Sequence, residues 1–313
     1  MMIKQVLPSV ITDILQELPP YFLYGIYTGF IGIVYFFYAA QYLLIPFFTT
    51  KEFQQRVSKL SPKEKAYFYV TIPSMIHSIA HSVFHPGWIF FGYSEPHNNG
   101  RTIYFDDTWP TFFQGIFVGY LLGDLLVVLG PNYLGYVYCI HHISASSQWI
   151  YSTYYESMQY YGSMMQFCEF STIFLNLRQW ILTAGYKSNS KLAMISSGLF
   201  FLSFFVVRVV PLPWIIYNWI TKDYDELQQS KGIGIAIANT ITIGINVLLQ
   251  TTWFVMMVSK VIKMVTVVPE NGNNNASSGS GKSSSNGSEC NVINRDESEN
   301  GGESESKNKK KDD

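Results

Sequence analysis

The chain has 313 residues, 48% of them hydrophobic and 17% aromatic, and a net charge of −1. With a charge that close to neutral, no basic stripe and no paired Cys/His spacing, a charge-driven nucleic-acid binder is excluded, and no nucleic-acid partner is expected. The mean hydropathy of +0.12 averages an apolar body that runs to about Val268 and a tail from Pro269 onward of Asn, Ser, Gly, Glu and Lys.

Residues 1–20 read as an interfacial segment, because Ile11, Ile14, Leu15 and Leu18 recur at helical spacing before Pro19-Pro20 stops the pattern. The N-terminus lacks a short apolar core followed by a small-residue cleavage site, so no removable signal peptide is expected and the first span serves as the targeting signal. Residues 21–50 hold that span, Tyr21 to Phe48, uncharged and longer than the roughly 20 residues a bilayer core requires. Lys51, Arg56, Lys59, Lys63 and Lys65 follow, a basic cluster that the positive-inside rule places in the cytosol.

The second span, about Ala66 to Phe91, carries His77, His81 and His85, and a polar loop from Gly92 to Trp109 comes after it. The third, about Thr111 to Leu129, contains Asp124, and Gly130-Pro131-Asn132 turns it into the fourth, about Tyr133 to Tyr151, with the pair His141-His142. The fifth, Tyr154 to Leu175, is diluted by Glu156, Gln159, Gln166 and Glu169. Arg208 lies in the sixth, Ala193 to Ile220, where Pro211 and Pro213 predict a kink rather than an end. The seventh runs from Ile233 to Val258 and ends in Lys260 and Lys263.

The fold class is therefore an all-α, multi-pass membrane helix bundle of about seven spans, residues 51–268 forming its six-span domain. Residues 269–313 are expected to be a disordered cytosolic tail, since so little apolar surface cannot offset ordering entropy. Asn275 and Asn286 lie in Asn-x-Ser sequons that report on that orientation. Cys139, Cys168 and Cys290 make no disulfide framework and read as packing residues.

Ionisable groups inside a bilayer cost several kcal/mol and need a partner or a purpose. At about 1.5 Å per residue from the cytosolic ends, Asp124 lies at roughly 7 Å, Glu169 at roughly 9 Å, His141 at roughly 12 Å, His77 at roughly 16 Å and Arg208 at roughly 20 Å. Matched depths on five spans predict one shared polar cavity, with Asn239, Asn246 and Gln250 of the last span on one face toward it. Arg208 is expected to pair with a cavity acid or a lipid headgroup. His141 and His142 point about 100° apart, so one enters the cavity while the other bonds a neighbouring helix. A neutral imidazole oriented by Asp124 suits a general base and equally suits a structural hydrogen bond. His77, His81 and His85 repeat every four residues as metal ligands can, but they extend about 12 Å, too far for one ion. No metal or cofactor is expected, and packing or an interfacial position for His85 accounts for them.

An aspartate in Gly-Tyr-Leu-Leu-Gly-Asp124, a His-His span, Glu169-x-Ser171-Thr172, Leu-Asn176-Leu-Arg178 and Phe204-Phe205-x-x-Arg208 together resemble the TLC domain, the TRAM, Lag and CLN lipid-sensing homology domain. Its ceramide synthases use a histidine pair and a downstream Asp-x-x-Asp. Here Glu169 falls near the first aspartate, and Thr172 stands at the second. The pattern looks closer to the transmembrane protein 56 group, also called TLC domain-containing protein 4. The resemblance implies a lipid-related protein of the endoplasmic reticulum whose partner is a membrane lipid or fatty acyl chain. Glu169, Asn176, Arg178, Arg208 and His77 are the candidate lipid-binding residues. The leading expectation is lipid binding or regulation of membrane lipid composition. One alternative is an acyl-CoA-dependent acyltransferase with His141, His142 and Asp124 as catalytic groups. A second is a histidine-box di-iron lipid oxidase.

Overall fold

The computed structural model describes residues 12–87, 89, 108–129 and 136–266. The start of the interfacial segment, most of the polar loop from Gly92, the turn at Gly130-Pro131-Asn132 and the tail 269–313 lie outside the described residues. The bundle belongs to the first of two units, Met1–Pro269. In chain order its helices are α1 (Pro20–Ala39), α2 (Lys51–Lys59), α3 (Pro62–Gly87), α4 (Thr108–Leu129), α5 (Tyr136–Tyr154) and α6 (Gln159–Gln166). They continue as α7 (Glu169–Thr183), α8 (Lys191–Phe204), α9 (Pro211–Asn218), α10 (Tyr224–Lys231) and α11 (Ile233–Thr266). No strand occurs among the described residues, in line with the all-α expectation.

Among the described residues, four stretches are long and apolar enough to cross a membrane: Pro20–Phe48, Thr108–Val127, Lys191–Lys231 and Ile233–Ile262. The expected second and fourth spans also form helices, α3 and α5, but their polar side chains dilute the apolar signal. Those side chains point inward. Along α3, Ser74, His77, Ser78, His81 and His85 are buried while Ile76, Ile79 and Val83 are exposed. Along α5, His142 and Ser146 are buried while Ile140 and Ile143 are exposed. Polar interior and apolar exterior invert the arrangement of a protein in water and suit a lipid surround.

The expected fifth span does not form as one helix. Its polar residues are spread over a break: α5 ends at Tyr154, Glu156 and Met158 take left-handed φ of 48° and 62°, and the chain resumes as α6 and α7. The sixth span is longer than expected, helical to Lys231 through Pro211 and Pro213. A proline at 211 leaves the Val207 carbonyl, four residues earlier, without its helical donor. A wide π-turn at Phe205–Val209 precedes the proline, and the Cys168 thiol donates to the Val207 carbonyl at 3.3 Å. Cys168 is thus a hydrogen-bond donor as well as a packing residue.

α1 meets α4 through small residues. A Cβ at Gly25 or Gly29 would overlap the backbone of Phe112 or Ile116, and a Cβ at Gly115 or Gly119 would overlap that of Phe22 or Ile26. Both helices therefore carry a glycine every fourth residue where they cross, the spacing that lets membrane helices approach closely. Leu18, Phe22, Val118 and Trp149 close one end of this contact.

The basic stretch after α1 is helical and anchored. Thr50 caps α2 by accepting from the Phe53 N–H at 3.3 Å, and the Gln54 amide donates to the carbonyls of Ile45, Pro46 and Thr49 at the end of the first span. Ser61 and Glu64 form a reciprocal capping box at the start of α3. Arg56 donates to the Ala184 carbonyl at 2.7 Å, capping the C-terminus of α7.

Candidate functional site

The His-His pair divides its two rings between two environments. His142 faces α4, where Asp124 is fully buried. Its Nε2 lies 3.0 Å from Asp124 Oδ2 and its Nδ1 3.0 Å from the Tyr138 carbonyl. The Tyr138 hydroxyl donates to the same carboxylate oxygen. Tyr138 and His142 stand one turn apart on α5 with ring centroids 3.9 Å apart, which is why both reach one carboxylate. Both ring nitrogens face acceptors, so the ring is fixed at both edges.

His141 turns instead toward α11, its ring edge-on to Trp253 with centroids 5.1 Å apart. Beside this contact lies a small open cleft of about 60 Å³, with His141, Ser144 and Gln148 along α5 and Thr242, Asn246 and Gln250 along α11. The helices run past one another so that the contact between His141 and Trp253 bounds one end. A cluster of Met158, Tyr161, Trp219, Leu227 and Ala236 packs beyond the other. Asn246 Oδ1 is buried without a hydrogen-bond partner. Asn239 stands apart from the cleft, buried and donating to the Ile235 carbonyl.

The other predicted residues do not share one cavity with the histidine pair. Arg208, in the π-turn after α8, donates to Ser171 at 2.9 Å, Thr172 at 3.4 Å and Gln250 at 3.5 Å, and lies 5.1 Å from the Phe204 ring centroid. Its described partners are hydroxyls, an amide and a ring, not the acid or headgroup expected, because the π-turn aims it at the hydroxyl side of α7. Through Gln250 it touches the wall of the cleft. Glu169 accepts from Ser78 at 3.1 Å, Asn176 donates to Ser74 at 3.0 Å and Arg178 donates to Ser197 at 2.9 Å. These three join α7 to α3 and α8. The expected gathering does not occur because these side chains occupy different faces of different helices.

His77 stacks on Tyr120 at 3.9 Å between α3 and α4. His81 Nδ1 lies 3.1 Å from His85 Nε2 and 3.2 Å from Gln166 Oε1. His85 is fully buried. Among the described residues no three His, Cys, Asp or Glu side chains gather as metal ligands. The donor set of a di-iron centre, several imidazoles and carboxylates about each ion, is not assembled there.

Sequence reasoning passed over Tyr138, Ser144, Gln148 and Thr242. Their signal was positional: Tyr138 is four residues before His142, Ser144 and Gln148 are three and seven after His141, and Thr242, Asn246 and Gln250 repeat every fourth residue.

Among known protein families, the TLC domain matches this chain over residues 21–259. The chain is 32% identical over 127 residues to TLC domain-containing protein 4-B of Xenopus laevis, a match covering 37% of this chain. It spans 45% of that relative's length, less than half. No solved structure matches the chain.

Proposed function

The chain belongs to the TLC domain family, and from that premise we propose that it binds a membrane lipid in the cleft between α5 and α11 and so helps set membrane lipid composition. The observation that carries this reading is the cleft itself. Asn246 lies about 20 Å along α11 from Ile233, near the middle of an apolar stretch. Polar side chains from two facing helices there line empty space instead of bonding one another, an arrangement whose desolvation cost a bound lipid head offsets. The setting in this proposal is the endoplasmic reticulum membrane, with the tail in the cytosol.

Purified protein subjected to lipid extraction and mass spectrometry tests the reading. A lipid near one-to-one stoichiometry is expected in the wild type. It should be depleted in Ser144→Phe, which places a ring on the cleft lining from α5. Equal lipid in both forms overturns the proposal.

A second reading, acyl transfer from acyl-CoA, draws on one specific observation: His141 presents an imidazole at the cleft wall while Asp124 engages His142. In that reading His141 is the general base and the Asp124 and His142 pair positions it through the backbone of α5. Acyl-CoA turnover by wild type and its loss in His141→Ala support it. No turnover in the wild type removes it.

A further inference from the structure

The character of the cleft lining narrows what it can hold. On α5 the polar groups from His141 to Gln148 extend about 10 Å, and on α11 those from Thr242 to Gln250 extend about 12 Å. They form two facing rails. Among the described residues, His141 is the one ionisable side chain on the lining. The nearest strong charges do not line it: Arg208 lies behind Gln250, hydrogen-bonded to the uncharged Ser171, Thr172 and Gln250, and Asp124 is held by His142 and Tyr138. An anionic head would enter without a cation in contact to replace its water, and a cationic head without a carboxylate, each at a desolvation cost of several kcal/mol. Hydroxyls and amides match an uncharged dipolar head instead. The unpartnered Asn246 Oδ1 adds a requirement, because a buried acceptor calls for a donor. Ala145, Ile245 and Leu249 supply the apolar remainder of the lining, and Ile245 is exposed toward the bilayer.

We infer that the ligand is an uncharged lipid whose head bears at least one hydroxyl or amide N–H, placed against Asn246, with its acyl chain leaving over Ile245 and Leu249. This rests on the lipid-binding reading above. It excludes phospholipids with a net negative head and neutral lipids that lack a donor, such as triacylglycerol.

The full chain in phosphatidylcholine nanodiscs is exposed to four diazirine-bearing probes: diacylglycerol with its free hydroxyl, triacylglycerol, phosphatidic acid and a long-chain amine. Crosslinks are mapped to peptides of α5 and α11. Diacylglycerol is expected to label them about tenfold more than each of the other three, and Asn246→Leu to lower that labelling about tenfold, the effect of one buried hydrogen bond. The probe ranking is read on wild-type protein, so it stands even where the variant folds poorly. Labelling by phosphatidic acid, the amine or triacylglycerol at or above the diacylglycerol level overturns the inference while leaving lipid binding intact. Labelling of these peptides by none of the probes overturns the lipid-binding reading itself.

Discussion

Gly29 and Gly32 lie three residues apart on α1, and the same substitution should have opposite effects at the two positions. A Cβ at Gly29 would sit 2.9 Å from the Ile116 carbonyl carbon and from the Tyr120 nitrogen of α4, whereas one at Gly32 meets nothing within 4 Å. Ordinary contact begins near 3.4 Å and the Ile116 carbonyl oxygen would lie nearer still, so Gly29→Ala forces backbone against backbone apart by roughly 1 Å. A gap of about that size forfeits about half of each contact's well across the interface. Backbone cannot rotate away as a side chain can, so the cost falls at about 2 kcal/mol, within the overpacking range. Gly32→Ala should instead be neutral or stabilising by up to about 1 kcal/mol through helix propensity. Thermal unfolding in detergent, followed by tryptophan fluorescence, should place Gly29→Ala roughly 4–8 °C below wild type and Gly32→Ala at or above it. Equal melting of the two variants would refute the glycine crossing as the determinant of α1 packing.

Three further outcomes follow from contacts described above. Cys168→Ala should destabilise by about 0.6–1.7 kcal/mol, the range for interhelical hydrogen bonds in membranes, and Cys168→Ser should recover much of it, as read by the same melting assay. His142→Ala strands a buried carboxylate and should cost about 3–5 kcal/mol, whereas the double variant Asp124→Leu, His142→Leu should be less damaging than the single change. A double-mutant cycle checks this, and additivity would remove the pair from the structural account. Asn275 and Asn286 should remain unmodified when the protein is expressed in eukaryotic cells, and a glycosidase-sensitive mass shift would reverse the assigned orientation of the tail.

The helical class and the places where polar groups enter the spans were legible in the sequence, because apolar length and charge position are local properties. The partners were not. Asp124, Glu169 and Arg208 were all expected in the cytosolic half and middle of the bilayer, yet which one meets which depends on helix rotation. The chain records rotation only in small biases such as the fourfold spacing of Tyr138 and His142. The expected Tyr154 to Leu175 span failed for a similar reason: average apolarity over a window does not register the left-handed residues Glu156 and Met158, and neither residue type announces that conformation. The prolines of the sixth span were read correctly in kind, but the donor that makes Pro211 tolerable, Cys168, lies 39 residues from Val207. Gly25, Gly29, Gly115 and Gly119, by contrast, carry a fourfold spacing readable in the chain itself.

The joint between α10 and α11 is a single residue, Gly232, with φ of 96° and no neighbour in the space a side chain would take. Along α11 it stands about 21 Å from Asn246, so each degree of swing at that joint carries Asn246 through about 0.4 Å. Contacts on either side of Asn246 resist that swing: the Trp219 ring N–H donates to Thr240, and Phe254 stacks on Phe201 and Phe205. The width of the space beside His141 is therefore set by those side chains, which hold the α11 wall as the bonds of His142 hold the α5 wall.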